Sequence, residues 1–530
     1  MAAISSWWDA RKQQADWWLA ILLFLSLLTL SPLIYQDYGI AWDELPQRSV
    51  AVQNTKIIQG EAPASKAFRD ADYGPLYEVA LETTGQWLGN RDFRKMTRYR
   101  HLMGYLLYVT GLFAFYGLVR EHYGSRWFAL VGVLLLLLMP RFFAHAFFNS
   151  KDLPFLVANI WGLYILRRQL DQPHWARALL LGAVLGWTIN LRIAGVLLLA
   201  MSLTVLALRA WRRPAHRRTT LASLLVIPAL AAALNYATWP YLWHDPVQKV
   251  VTIWTNMSHF RWDSLVLFQG KQRFARDLPW YYLPTWIAIS TPIPTLLLCL
   301  AGLCTVPVMA IRRWAAVGKD LTLSNWAVWW GGATLPIGLI VVQHSVVYDG
   351  WRHVYFCFPY LLLLGLVALH AIWQRSESWK PEVRKLAGLA ALLSLGPTLL
   401  FMIAAHPFQQ VYFNALLPHR EGYLAEHYER DYWGSSTLAA LRYIAQHDPR
   451  PQIRIYASHD PVRFNWALLD DADRKRLKVM PKEATADYFV FMSRPLPDLP
   501  PQQEIVDNPY TLTIQGSPVV SVFELGPPQE

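Results

Sequence analysis

The sequence predicts an α-helical polytopic membrane protein of about eleven transmembrane helices, followed by a small α/β domain. Three observations predict it. Uncharged apolar runs of helix-spanning length recur through residues 1–405. The short loops between alternate runs are rich in lysine and arginine. Trp and Tyr, 26 and 25 residues, crowd the ends of the runs, where amphipathic rings favour the headgroup layer. Of the 530 residues 54% are hydrophobic, yet the mean hydropathy is only +0.20, which suits a membrane domain joined to sizeable polar segments.

The first run, Trp17 to Tyr35, follows Arg11 and Lys12. Its end, Ser31-Pro32-Leu33-Ile34-Tyr35-Gln36, lacks a small-x-small cleavage pattern, so it reads as a retained span with a cytoplasmic N-terminus. Further spans are expected at 102–119, 127–140, 154–166, 176–190, 193–209, 219–238, 283–311, 327–343, 354–373 and 386–405. The loops that this threading places inside carry Arg120 and Arg126, then Arg167 and Arg168, then Arg209, Arg212, Arg213, Arg217 and Arg218. Arg312, Arg313 and Lys319 follow, and finally Arg375, Lys380, Arg384 and Lys385. Every such loop is basic, as the positive-inside rule requires. The net charge of +12 is therefore assigned to topology and not to nucleic acid. Cys299, Cys304 and Cys357 lie in or beside apolar runs and form neither a metal-ligand spacing nor a disulfide framework.

The expected organisation is a transmembrane domain over 1–405, with long outer loops at 36–101 and 239–282, then an outer connector and α/β domain over 406–530. Helical periodicity near Ser435 to His447 precedes strand-like runs at Ile453–Ala457, Asp487–Met492 and Val519–Leu525. Proline-rich stretches such as Pro495 to Pro501 separate them.

The outer loops carry charges against the topological trend. Arg141, His145, Lys151 and Asp152 lie after span three, Arg192 between spans five and six, and His344, Arg352 and His353 after span nine. A single cation at a helix mouth can snorkel to headgroups. Together, Arg141, Lys151, Arg192 and Arg352 with His145, His344 and His353 read as a surface for an anion, and a phosphate at a membrane boundary accepts several charge-assisted hydrogen bonds. Asp43 and Glu44 follow span one directly, where a carboxylate held in a cleft can serve as a general base. Asp152 supplies a second carboxylate, and also suits an N-cap for the span beginning near Pro154.

Several segments resemble the GT-C glycosyltransferases, and within them the family of protein O-mannosyltransferases and the lipid A aminoarabinose transferase. They are Trp42-Asp43-Glu44, Tyr73-Gly74-Pro75-Leu76-Tyr77, Arg100, Asn149-Ser150-Lys151-Asp152-Leu153-Pro154 and Tyr348-Asp349-Gly350-Trp351-Arg352-His353. His406 to Asn414 and Asp431-Tyr432-Trp433-Gly434 complete the set, which spans about residues 15–435. The resemblance implies an inverting transfer of a sugar from a polyprenyl-phosphate donor to a lipid, glycan or protein acceptor on the outer face of a bacterial inner membrane. Asp43 would be the catalytic acidic residue, with Glu44 beside it and Asp152 as the second. Arg352 and His353 would bind the donor phosphate, and Trp42, Tyr73 and Tyr348 would line the sugar and acceptor pocket. A divalent metal, if used, would bridge Asp43 or Asp152 to the donor phosphate. No large β-trefoil insertion is present, which sets the chain apart from the protein mannosyltransferases. A flippase for lipid-linked sugars is the alternative; it predicts ionisable residues within the spans, whereas here the charges gather at one face.

Overall fold

The computed structural model describes residues 2–527 except 65–67, 214–215, 259, 312, 314–315, 482–484, 493 and 495–502, with side chains from Trp18 onward. The side chains of Arg11, Lys12 and Trp17, the residue Arg312 and the Pro495–Pro501 stretch therefore lie outside the described residues.

Helix α1 (Ala2–Ile34) leads into an outer segment that holds two short helices, α2 (Glu44–Ile58) and α3 (Leu76–Trp87). Next come α4 (Phe93–Tyr123), α5 (Arg126–Leu137), α6 (Pro140–Phe148), α7 (Asp152–Asp171), α8 (Trp175–Leu191), α9 (Val196–Arg212) and α10 (Arg217–Thr238). The second long outer segment contains α11 (Pro246–Ser258) and a hairpin of β1 (Leu265–Phe268) and β2 (Lys271–Phe274). The remaining membrane helices are α12 (Tyr282–Ser290), α13 (Ile293–Ile311), α14 (Leu321–Val342), α15 (Phe358–Ser376), α16 (Pro381–Leu393) and α17 (Gly396–Ala404).

All eleven expected spans fall on helices, but the helices are not uniform. Seven of those described are long and apolar enough to cross a membrane, and the bent pair α5–α6 makes an eighth. Trp18–Ile34 and Trp175–Leu191 are apolar but shorter. The expected span 127–140 is not straight. Pro140, at the first turn of α6, has no amide to continue the ladder, and the axis turns by 70°. Residues 140–148, read as loop from sequence, are thus a helix buried along its whole length. Pro292 likewise separates α12 from α13.

The basic loops meet at one end of the bundle. Arg167 and Arg168 reach Glu121 at 3.0 and 2.7 Å, and Arg209 Nη1 donates to the Gly318 carbonyl. The opposite end carries the two long segments and the C-terminal domain. That domain contains α18 (Tyr423–His427), α19 (Thr437–His447), β3 (Ile453–Ala457), α20 (Pro461–Trp466), α21 (Asp471–Arg476), β4 (Leu477–Val479), β5 (Tyr488–Met492), β6 (Ile505–Ile514) and β7 (Ser517–Leu525). The sheet order is β4-β3-β5-β7-β6, with β3 parallel to β4 and β5, and β7 antiparallel to β5 and β6. Leu438, Leu441 and Ile444 of α19 bury against Ile453, Ile455, Val490 and Val520 of the sheet. Strands β4 and β6 escaped the sequence reading: one has three residues, and the other contains Asp507, Asn508 and Pro509, poor strand formers.

The same core takes in Ile40 from the segment after α1. Asn465 of α20 accepts from the Ile40 amide at 2.8 Å and donates to its carbonyl at 3.0 Å. Gly39 is required there, because a Cβ would stand 2.2 Å from the Ser435 carbonyl oxygen. The start of the first outer loop is therefore clasped by the C-terminal domain.

Candidate active site

Asp43 sits just before α2, and its place is set by the backbone on either side of it. Trp42 N donates to the Trp433 carbonyl at 2.9 Å, and the Ala41 amide donates to Glu44 Oε1 at 2.7 Å. Asp43 keeps 33% of its side chain exposed and turns Oδ2 to Arg352 Nη1 at 2.9 Å. Arg352 opens the short 3-10 turn that leads into α15 and is itself buried. Its guanidinium is a hub. Nη1 also lies 3.5 Å from Asp152 Oδ2, Nη2 lies 3.1 Å from Asp349 Oδ2, and the plane packs over Trp433 and Tyr348 at 4.8 and 5.0 Å.

Asp152 is only 1% exposed and fully engaged: Arg192 pairs with Oδ1, and Asn149 Nδ2 donates to Oδ2 at 3.0 Å. It is not an N-cap. Asn149 does that work, its Oδ1 accepting from the Lys151 and Asp152 amides at 3.2 and 2.8 Å. Ser150 anchors the same turn by donating to Glu78 Oε1 at 2.6 Å. The turn presents Lys151, whose Nζ lies 3.2 Å from the centre of the Tyr73 ring. Tyr73 comes close because Gly74 packs on the α8 terminus; a Cβ there would stand 2.1 Å from the Asn190 carbonyl oxygen. Burial, reinforced by Arg192, pushes the Lys151 ammonium down to about 7.

Lys151, Arg192, Arg352 and His353 line one cavity together with Tyr73 and Tyr348. Leu197 of α9, Leu339 and Ile340 of α14, and Trp254 and Met257 of α11 give it an apolar side, while Asp72, Asn190, Gln343 and Ser345 add further polar groups. Tyr348 is braced by Trp262, stacked at 4.1 Å, and by the edge of His353 at 4.8 Å. Asp43, one third exposed, is not among the lining residues and meets the cavity through Arg352.

Three expected site residues stand elsewhere. Glu44 turns inward, accepting from Ala41 N and pairing with His101 Nε2 at 3.0 Å, so it shapes the loop and does not reach the cavity. Arg141, 0% exposed, packs over Trp286 and Phe413 and donates to the Tyr412 carbonyl at 3.0 Å, joining α6 to the connector. Trp42 faces His459 and Arg494 of the C-terminal domain instead of the cavity. Among the described residues no three His, Cys, Asp or Glu side chains stand together as a metal site, and Asp43 and Asp152 share Arg352 between them.

Two residues went unnoticed in the sequence. Arg494, beyond β5, donates to Asp349 Oδ1 at 3.1 Å and to the Tyr432 carbonyl at 2.7 Å. Glu429 is 1% exposed with neither carboxyl oxygen hydrogen-bonded among the described residues. Burial, only partly offset by Arg494, pushes it up to about 8. A charged Glu-Arg-Asp triplet at 429–431 beside two aromatic residues was the available signal for Glu429. Arg494 left none.

The helix bundle and docked domain define the class: this is a multi-pass membrane protein of the GT-C fold. More particularly, residues 92–239, from α4 to the end of α10, match the family model described as dolichyl-phosphate-mannose-protein mannosyltransferase. The apo crystal structure of ArnT from Cupriavidus metallidurans is similar over 95% of this chain and 97% of that one, at 15% identity and a TM-score of 0.51. Archaeal oligosaccharyltransferase AglB from Archaeoglobus fulgidus, in complex with an inhibitory peptide and a dolichol-phosphate, is similar over 87% of this chain at 12% identity and a TM-score of 0.50. The chain spans only 64% of that protein's length. Among curated proteins none matches.

Proposed function

We propose that the protein is an inverting glycosyltransferase that moves a sugar from a polyprenyl-phosphate donor to an acceptor at the outer face of a bacterial inner membrane. The observation that carries this reading is the meeting of Lys151, Arg192 and Arg352 on a cavity that also has an apolar side from α9, α11 and α14, with Asp43 paired to Arg352. A phosphate joined to a prenyl chain has that pair of surfaces. The matched mannosyltransferase family and the dolichol-phosphate in the AglB complex support the donor class. The basic loops support a cytoplasmic N-terminus and an outward C-terminal domain.

In the proposed reaction Asp43 takes the proton of an acceptor hydroxyl as that oxygen bonds to the anomeric carbon. The bond from that carbon to the phosphate oxygen breaks, and its electron pair stays on the phosphate. A diester monoanion thus becomes a monoester dianion, and the added charge falls where Lys151, Arg192 and Arg352 converge. One displacement inverts the anomeric centre. No separate general acid is needed for a phosphate leaving group. Asp152, with every oxygen engaged, orients Arg192 and Arg352.

The test is purified protein incubated with radiolabelled polyprenyl-phosphate sugars and candidate acceptors. Label transferred to an acceptor with inverted configuration supports the reading. Label that only crosses the bilayer, still on its carrier, would replace it with a flippase.

A further inference from the structure

Arg494 belongs to the C-terminal domain, yet its guanidinium lies against the membrane domain's charged centre. Nη2 donates to Asp349 Oδ1 at 3.1 Å, while Asp349 Oδ2 meets Arg352 Nη2 at 3.1 Å. Asp349 is thus a bridge with one oxygen for each arginine. Its backbone is held as well: Gly350 N donates to the Tyr282 hydroxyl at 3.1 Å. From there the chain of contacts passes through Arg352 Nη1 to Asp43 Oδ2 at 2.9 Å.

We propose that Arg494 is a positioning residue for the transfer reaction: through Asp349 it sets the orientation in which Arg352 meets Asp43 and the donor phosphate. The C-terminal domain thereby completes the membrane domain's site. This inference rests on the transferase reading above.

Two arguments carry it. Arg352 needs opposed partners, because a planar guanidinium swings about its flexible stem unless both edges are held. Asp43 and Asp152 hold Nη1, and among the described residues Asp349 alone pairs with Nη2. Asp349 is buried beside Glu429, a carboxyl that holds its proton, so losing Arg494 leaves Asp349 with one cation, and burial then favours its neutral acid form. Its hold on Arg352 then loosens. The second argument is that the same domain also fixes the other partner. Asn465 clasps Ile40 and Arg494 packs 5.3 Å over Trp42, the residue before Asp43. Both sides of the Asp43–Arg352 contact are therefore referenced to one domain.

The experiment compares wild type, Arg494→Gln, Arg494→Lys, Asp349→Asn and the Arg494→Gln/Asp349→Asn double variant in full-length protein. Arg494→Gln is expected to lower kcat by about 10²-fold, the scale of a slight misplacement remote from the reacting atoms. KM for the donor should change by less than about threefold, because Lys151 and Arg192 still hold the phosphate. Arg494→Lys, which keeps the charge without the fork, should recover about tenfold of that loss. The double variant should be no slower than Asp349→Asn alone, since both act through one link. Wild-type kcat in Arg494→Gln, or losses that multiply in the double variant, would overturn the positioning role. Titration of each protein with polyprenyl phosphate alone separates the two levels. Near wild-type affinity in Arg494→Gln supports an effect on kcat only, and a large loss of affinity overturns it. A wild-type protein that binds no polyprenyl phosphate overturns the transferase reading and this inference with it.

Discussion

Asp43 and Arg352, 309 residues apart in sequence, stand 2.9 Å apart, and Arg352 also lines the cavity. The contact joins a loop that follows the first membrane helix to a turn that precedes α15. If Asp43 is the base, replacing it with an isosteric amide removes proton transfer while leaving the loop's backbone bonds in place. Asp43→Asn is expected to lower transfer by about 10²–10⁴-fold. Yield and membrane insertion should match wild type, measured by detergent extraction and gel filtration beside the transfer assay. Wild-type activity in this variant would remove Asp43 from the role.

Arg352 neutralises carboxylates on both sides of the site. Arg352→Ala leaves Asp152 and Asp349 buried with a cation missing, a change that costs about 3–5 kcal/mol where a buried pair is broken. The expected readout is a clear drop in melting temperature together with loss of transfer. Arg352→Lys should restore part of the stability but little of the activity, because an ammonium cannot face Asp43 and Asp349 with one plane.

In the proposed donor site Lys151 is the group expected to set the pH dependence. Its ammonium is pushed down to about 7, first by burial and then by Arg192, so the free site loses this charge as pH rises through neutrality. Affinity for polyprenyl phosphate should therefore be greatest below pH 7 and fall above it. In Lys151→Met binding should be weak throughout, and the part of the pH dependence near 7 should vanish. Calorimetric or fluorescence titration between pH 6 and pH 8.5 reads both; an unchanged profile in the variant would exclude Lys151 as the titrating group.

Glu429 predicts a stability profile of its own. Its carboxyl, facing Arg494, Asp349, Arg352 and Tyr282, is pushed up from 4.5 to about 8 by burial. The folded protein then holds a proton that the unfolded chain has lost, so this contribution is complete below about 4.5 and fades as pH rises through 8. Glu429→Gln, which mimics the protonated acid, should flatten the decline and raise the melting temperature at pH 8.5 relative to wild type. Thermal unfolding across pH 5–9 decides it.

Most of the membrane architecture was legible because its cause is local. Length, hydropathy and loop charge act over a single span, and the helices lie where apolar runs exceed the bilayer's requirement. The exceptions are local too: Pro140 ends α5 and starts a buried bend that apolar composition alone conceals. The C-terminal helix α19 and strands β3, β5 and β7 showed their periodicity, whereas β6, with Asp507, Asn508 and Pro509, did not. Among site residues, Lys151, Arg192, Arg352 and His353 shared a visible trait, charge or imidazole on the side where few are expected. Arg141 shared that trait and yet packs under Trp286 and Phe413, because charge against the topological trend tells which end a residue occupies and not which way it points.

By itself the sequence determined that the chain threads a bilayer many times, that its basic loops gather at one end, and that acids and cations collect at the other. Those properties follow from hydrophobic burial and charge acting on neighbouring residues. Only the tertiary structure decided which acid meets which cation. Asp43 rather than Glu44 reaches Arg352, Asn149 rather than Asp152 caps α7, and Arg494 crosses from the C-terminal sheet to hold Asp349. Such choices depend on angstrom distances between segments hundreds of residues apart, where the low polarity of the interior makes each unpaired charge costly and leaves few arrangements that pair them all.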